Sequence, residues 1–122
     1  MISLYYLCKL CRWNYHMTEC VFISDRNGDI TEFEIFGHTG LDIEGKDVLC
    51  AAVSALVSHT IGAIHEFTHV ACANVVDEKK PSVTFTLTDG AEDDRAQLFL
   101  RALISSLEDL EYKYPDGIKV NY

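Results

Sequence analysis

Residues 37–56 read GHTGLDIEGKDVLCAAVSAL, and in this stretch a strand pattern gives way to a helical one. The strand pattern ends at the first glycine, and His38 follows at once. A loop containing two glycines then leads to Asp47, a residue type that often caps helix N-termini. From Val48 the apolar residues recur at helical spacing. The stretch therefore predicts a strand, a loop and a long buried helix in that order.

The predicted helix places Cys50 in its first turn, where unpaired N–H groups and the helix dipole favour a thiolate. The intervening loop is long enough to fold back and bring His38 to the sulfur. A cysteine with a lowered pKa and a histidine within reach are the fewest groups that covalent acyl transfer requires. Ser54 lies one helical turn after Cys50, on the same side of the helix. The alternatives are that Cys50 is a small core residue and that His38 is an exposed loop histidine.

The rest of the chain alternates strands and helices. Asn27-Gly28 between two strand patterns predicts a β-hairpin. The predicted strands are 18–25, 30–37, 68–76, 82–88 and 118–122, and the predicted helices are 48–67 and a second that starts near residue 92. The order ββαββαβ indicates an α+β fold, a two-layer sandwich with one mixed β-sheet and two helices on one face.

Bulk properties predict one domain in 122 residues. Residues 1–16 look unlike the rest of the chain, so we expect them to be an extension outside the domain 17–122. The net charge is −9, and removing Lys9 and Arg12 leaves −11 for residues 17–122. That charge argues against nucleic acid and suits a basic polypeptide partner. No apolar run looks long enough to span a membrane and no signal peptide is evident, so we expect a cytoplasmic protein with five free thiols.

Two patterns suggest zinc as an alternative. Residues 65–69 read HEFTH and satisfy the HExxH pattern, in which a helix would place His65 and His69 on one face with Glu66 as base. The strand-forming residues that follow argue against such a helix. Cys8, Cys11, His16 and Cys20 are spaced almost like a zinc knuckle, but they lack the glycines of its tight turns. We therefore expect no metal or other cofactor.

Two motifs resemble those of the ribosomal-processing cysteine protease family, Prp. Gly37-His38-Thr39 is similar to its GHA-type motif, with threonine where the family usually has alanine, and residues 47–54 (DVLCAAVS) are similar to its D-[IV]-x-C-A-x-x-S stretch. The resemblance runs from about Thr18 to the end of the chain. It includes the tail elements Ala96-Gln97-Leu98, Tyr114-Pro115 and Ile118-Lys119-Val120.

The resemblance implies a bacterial cysteine endopeptidase that removes the N-terminal extension of a large-subunit ribosomal protein and acts as a homodimer. Cys50 would be the nucleophile and His38 the base, with oxyanion donors at the start of the first helix. Asp47 would cap that helix, Ser54 would support the thiol, and Gly40 and Gly45 would make the loop a lid. The alternatives are a non-catalytic acidic assembly factor for a basic ribosomal protein and an HExxH zinc hydrolase.

Overall fold

The protein is described from a computed structural model that covers residues 18–37, 43–77 and 82–122. The elements follow the order ββαββαβ: β1 Thr18–Ser24, β2 Ile30–Phe36, α1 Ile43–Phe67, β3 Ala71–Asp77, β4 Ser82–Asp89, α2 Asp94–Lys113 and β5 Ile118–Asn121. The predicted α+β fold is confirmed. Residues 1–16 lie outside the described residues, so the extension and its boundary stay a prediction.

The five strands form one mixed sheet in the order β3-β4-β2-β1-β5. All neighbouring strands are antiparallel except β1 and β5. These two run parallel, and their pairing extends from Thr18 opposite Ile118 to Val21 opposite Asn121. A parallel neighbour requires a crossover connection, and here α2 precedes β5 as part of that crossover. Strands β4, β2 and β1 therefore lie inside the sheet, and β3 and β5 are its two edges.

One face of the sheet carries the core, and both helices cover that face. The alternation that predicted the strands is realised, because Phe33 and Ile35 are fully buried on the inner side. Phe33 is also central to the aromatic contacts, at 5.5 Å from the ring of Phe22 and 5.2 Å from that of Phe85. The helices contribute buried aliphatic side chains at helical spacing: Leu49, Val53, Val57, Ile61 and Ile64 from α1, and Ala96, Leu100, Leu103 and Leu107 from α2.

The predicted hairpin between β1 and β2 is confirmed, but its turn is longer than a two-residue turn. Asp25 organises it: its Oδ1 accepts the N–H groups of Asn27 and Asp29, at 2.9 and 3.0 Å. Gly28 has a φ of +85°, whereas Asn27 does not take a positive φ. The glycine alone supplies the left-handed backbone that the turn requires.

Helix α1 shows that one prediction from the sequence was wrong. Its segment Val48–Phe67 is long and apolar enough to cross a membrane by length and composition, contrary to the prediction that no such run exists. Half of that window is buried in the fold, where it packs on the sheet. A core helix passes the same test of composition, and the burial of α1 accounts for its apolar character.

Candidate active site

Strand β2 leads directly to the predicted base. It ends at Phe36, and the next residue, Gly37, is buried and has a φ of +78°. That left-handed backbone suits glycine and turns the chain out of the sheet. His38 and Gly40 lie outside the described residues. The pairing of His38 with Cys50 therefore stays a prediction.

Helix α1 begins at Ile43, five residues before the predicted start, and this changes the surroundings of Cys50. Asp47 lies within the helix and is not its N-cap, because an N-cap residue has non-helical backbone. Gly45 also lies within the helix, so the prediction that it belongs to a lid loop is wrong. Glycine costs only about 1 kcal/mol in a helix, and the apolar run that follows can offset this.

Cys50 is consequently the eighth residue of α1 and not a first-turn residue. The effect of the helix dipole falls off within the first turn, so the helix start gives little reason for a low pKa of this thiol. The unpaired N–H groups belong to the first four residues, about 6–10 Å along the axis from Cys50. The prediction that they form the oxyanion site loses its basis. Activation of Cys50 must come from a neighbouring group.

Cys50 and Ser54 lie one turn apart on a buried flank of α1, with only 7% and 2% of their surfaces exposed. Both make interactions with other parts of the chain. Cys50 is disulfide-bonded in this structure, so the expectation of five free thiols is wrong for this residue. Among the described cysteines, Cys20 and Cys72 are free. A disulfide sulfur is not a nucleophile, and Cys50 must be reduced before it can attack a peptide bond.

A second thiol–imidazole pair lies near the other end of α1, and the sequence analysis missed it. The Sγ of Cys72, on β3, is 3.4 Å from the Nε2 of His65, in the last turn of α1. Partial burial raises the pKa of the Cys72 thiol above its usual value of 9.0. The thiol is therefore protonated near neutral pH. The short connection between His65, in the last turn of α1, and Cys72, the second residue of β3, was the signal that could have revealed the contact.

The HExxH interpretation is wrong because the helix stops within the motif. Helix α1 ends at Phe67, and Thr68 donates both its N–H and its hydroxyl to the carbonyl of Ile64, at 3.2 and 2.6 Å. His69 lies beyond the helix, and His65 contacts Cys72. In the part of the chain that the structure describes, no group of three His, Cys, Asp or Glu side chains could hold a metal ion.

The zinc-knuckle alternative also loses its last ligand. Cys20 is fully buried in β1, and burial raises the pKa of its thiol to about 12. A zinc ligand must be a thiolate, which this environment disfavours. Cys8, Cys11 and His16 lie outside the described residues.

Comparisons with known proteins agree on one family. A family model described as cysteine protease Prp matches residues 17–119. The ribosomal processing cysteine protease Prp of Staphylococcus aureus is 26% identical over 103 residues, which cover 78% of this chain and 89% of that protein. Its Bacillus subtilis counterpart is 28% identical over 94 residues, covering 75% of this chain and 84% of that protein.

Solved structures show the same fold. The crystal structure of the S. aureus protease with a covalently linked product peptide superposes with a TM-score of 0.78 at 26% identity. The match covers 87% of this chain and 99% of that chain. A structure of the same enzyme with a substrate peptide gives a TM-score of 0.77 at 25% identity, with the same coverage of both chains.

Proposed function

Because the chain belongs to the cysteine protease Prp family, we propose that this hydrolase removes the N-terminal extension of a large-subunit ribosomal protein. The proposal rests on the family match over residues 17–119 taken together with the position of Cys50. This cysteine lies on a helix that directly follows the predicted His38 loop. The relatives named above are ribosomal processing enzymes, and one of them holds a covalently linked product peptide.

We propose a two-step reaction at Cys50. His38 takes the proton of the thiol, and the thiolate attacks the scissile carbonyl carbon to form a C–S bond. As the C–N bond breaks, the protonated His38 gives its proton to the leaving amine. A thioester between Cys50 and the acyl segment remains. Water then attacks the thioester with His38 as base, which releases the carboxylate product and restores the thiol.

We propose supporting roles for Ser54 and Asp47 next to Cys50 on α1. Ser54 is buried one turn after Cys50 and makes an interaction of its own, so it helps to hold the helix flank that carries the sulfur. Asp47 precedes Cys50 by three residues on the same helix, and neighbours at that spacing share a helix face.

The substrate is a basic polypeptide in this account. The chain has a net charge of −9, and ribosomal proteins are strongly basic. Opposite charges attract the partners before they touch and raise the association rate. We further propose that the enzyme acts in the cytoplasm, where ribosomal proteins are made.

We also propose a homodimer through the solvent-facing side of α1. Val48 is 59% exposed, and Ala51 and Ala55 lie exposed on the same side of the helix. Small side chains next to a larger apolar one allow two helices to approach closely. A second copy would cover this apolar strip.

Cleavage of a precursor tests the catalytic proposal. Reduced protein is incubated with a ribosomal-protein precursor that carries its extension, and the products are identified by mass spectrometry. We expect one discrete cut, and at least about a 10³-fold loss of kcat/KM in Cys50→Ala. Leu98→Ala, which changes an exposed side chain on α2 away from Cys50, is the control and should cleave as well as the wild type.

The same experiment separates the two classes of function. Cleavage that persists in Cys50→Ala would refute the proposed nucleophile. Binding of the precursor without cleavage by the reduced wild type would favour the non-catalytic assembly factor.

A further inference from the structure

The two edges of the sheet differ in how they are protected. Strand β5 is an edge of only four residues and carries Lys119. Its Val120 N–H donates to the Oε2 of Glu111 at 2.8 Å, so a side chain of α2 occupies this edge. Short length, a lysine and a covering side chain all discourage another strand from pairing there.

The opposite edge, β3, has none of these protections. It spans seven residues, Ala71–Asp77, with no lysine and no proline. Within residues 18–37, 43–77 and 82–122, β4 is its one strand neighbour. Its single irregularity is the register shift between Ala71 and Cys72, at the start of the strand. Among the described residues, the backbone N–H and C=O groups on the outer side of β3 therefore have no strand neighbour and can pair with an added strand.

One end of the α1 flank that carries Cys50 contacts this edge. Ser54 and Ser58 follow Cys50 at successive turns, and His65 continues the same flank to its contact with Cys72 on β3. Strands β2 and β3 are both antiparallel to β4 and so run in the same direction, and α1 leads from the end of β2 to the start of β3. Cys50, in the first half of α1, therefore lies toward the Asp77 end of β3, and this flank and β3 together form one strip. The helical rise from His65 to Cys50 is about 22 Å, and the length of β3 from Cys72 to Asp77 is about 17 Å, so these distances place Cys50 just beyond the Asp77 end of β3.

Two polar atoms along this strip are buried without a partner among the described residues. They are the Oγ of Ser58 on the helix and the Oδ1 of Asn74 on the strand. Asn74 follows Cys72 by two residues and so points to the same side of β3. An unsatisfied buried acceptor costs about 1–3 kcal/mol, which an incoming polar group can recover.

We propose that the free edge of β3 binds the substrate polypeptide as an added β-strand and presents the scissile bond to Cys50 at the Asp77 end. The occupant is an extended segment of the substrate, because the strip leads to the proposed nucleophile. Main-chain hydrogen bonds to an edge strand give affinity for an extended peptide, and pockets for alternate side chains give selectivity. The strip has room for about six substrate residues on one side of the cut. This inference rests on the proposed function and adds the mode of binding.

Hydrogen exchange of the full-length Cys50→Ala variant tests the inference. The probe is a synthetic peptide that spans the extension junction of a large-subunit ribosomal-protein precursor, and its binding is followed separately by fluorescence anisotropy. When the peptide saturates the protein, we expect amide exchange in residues 71–77 to slow at least tenfold. Residues 118–121, on the protected edge, are the internal control and should not change.

Two outcomes would overturn the proposal. One is a saturating peptide that leaves exchange in residues 71–77 unchanged. The other is protection of these residues in the free protein that increases with protein concentration, which would assign the edge to a second copy of the chain.

A scan of backbone-methylated substrates gives a second test with the wild type. Along an added strand, N–H groups point alternately toward and away from β3. Methylation at every second position should therefore lower kcat/KM about tenfold, and methylation at the positions between should have little effect. A loss that does not alternate would overturn the strand-addition mode. Cleavage of the unmethylated peptide at a single site in the same assay would leave the proposed function intact.

Discussion

At the scale of single residues, the reactivity of Cys50 depends on a base, because the sulfur lies too far from the start of α1 to be activated by it. We therefore expect His38→Gln to lower kcat by about 10²–10⁴-fold, the usual range for loss of general acid–base catalysis. Alkylation of reduced Cys50 at neutral pH should slow in parallel, since the thiolate loses its counter-charge. Stopped-flow alkylation and peptide cleavage measure the two effects. Unchanged rates with an unchanged circular dichroism spectrum would exclude His38 as the base.

Cys20 gives a residue-scale prediction for stability at high pH. Burial, followed by the charges of Glu111 and Glu19, raises the pKa of its thiol from 9.0 to about 12. Between these values the unfolded chain has lost the proton that the folded protein still holds. The free energy of unfolding should therefore be insensitive to this group below pH 9 and fall above it, by up to about 1.4 kcal/mol per pH unit.

Urea unfolding of the wild type and of Cys20→Ala between about pH 8 and 10 measures this contribution. The variant leaves a small cavity and should be less stable at every pH, but its stability should fall less steeply above pH 9. Parallel pH profiles for the two proteins would contradict the assignment of this slope to Cys20.

At the scale of secondary-structure elements, one buried side chain fastens α2 to the β1–β2 hairpin. Gln97 accepts the N–H of Ile30 at 2.7 Å and donates to the carbonyls of Ile30 and Ala91, both at 2.8 Å. Gln97→Ala would leave these backbone groups without partners, and we expect a loss of about 2–4 kcal/mol of stability. Leu98→Ala changes the adjacent, 67% exposed side chain and should cost under about 0.5 kcal/mol. Equal effects in denaturant unfolding would refute the role of Gln97.

The elements that the sequence predicted well are those whose boundaries rest on local chemistry. The side chain of Asp93 accepts the N–H groups of Arg95 and Ala96 at the start of α2, and these bonds lower the pKa of its carboxyl. The start of α1 was predicted wrongly because Asp47 looked like a similar cap and Gly45 like part of a loop. A long buried helix can extend through both residues, since packing of its apolar face outweighs local preference.

Some contacts between distant elements could not be predicted from the sequence. Nothing in the local pattern indicates that Glu111 covers the β5 edge of the sheet, or that β3 has β4 as its one strand neighbour among the described residues. These contacts depend on strand order, which a mixed sheet leaves open until the crossover is known. The predicted residues Cys50 and Ser54 were found on one flank of α1, whereas the position of His38 stays a prediction.

At the scale of the whole molecule, the proposed dimer predicts a concentration-dependent mass. Sedimentation equilibrium of the reduced protein should show a dimer, and Ala55→Glu should shift it to monomer by placing a charge in the apolar strip. Leu98→Glu introduces the same charge at an exposed apolar position on α2 and should remain dimeric. A wild type that is monomeric at all concentrations, or equal dissociation of both variants, would contradict the α1 interface.

The most direct measurement is to identify the sulfur that reacts with the substrate. A precursor-derived peptide that ends in a chloromethyl ketone at the cleavage position is added to the reduced protein, and the adduct is located by tandem mass spectrometry among the five cysteines. The account predicts a single adduct on Cys50, with Cys72 and the buried Cys20 unmodified. An adduct on Cys72, next to His65, with Cys50 unmodified would contradict the account.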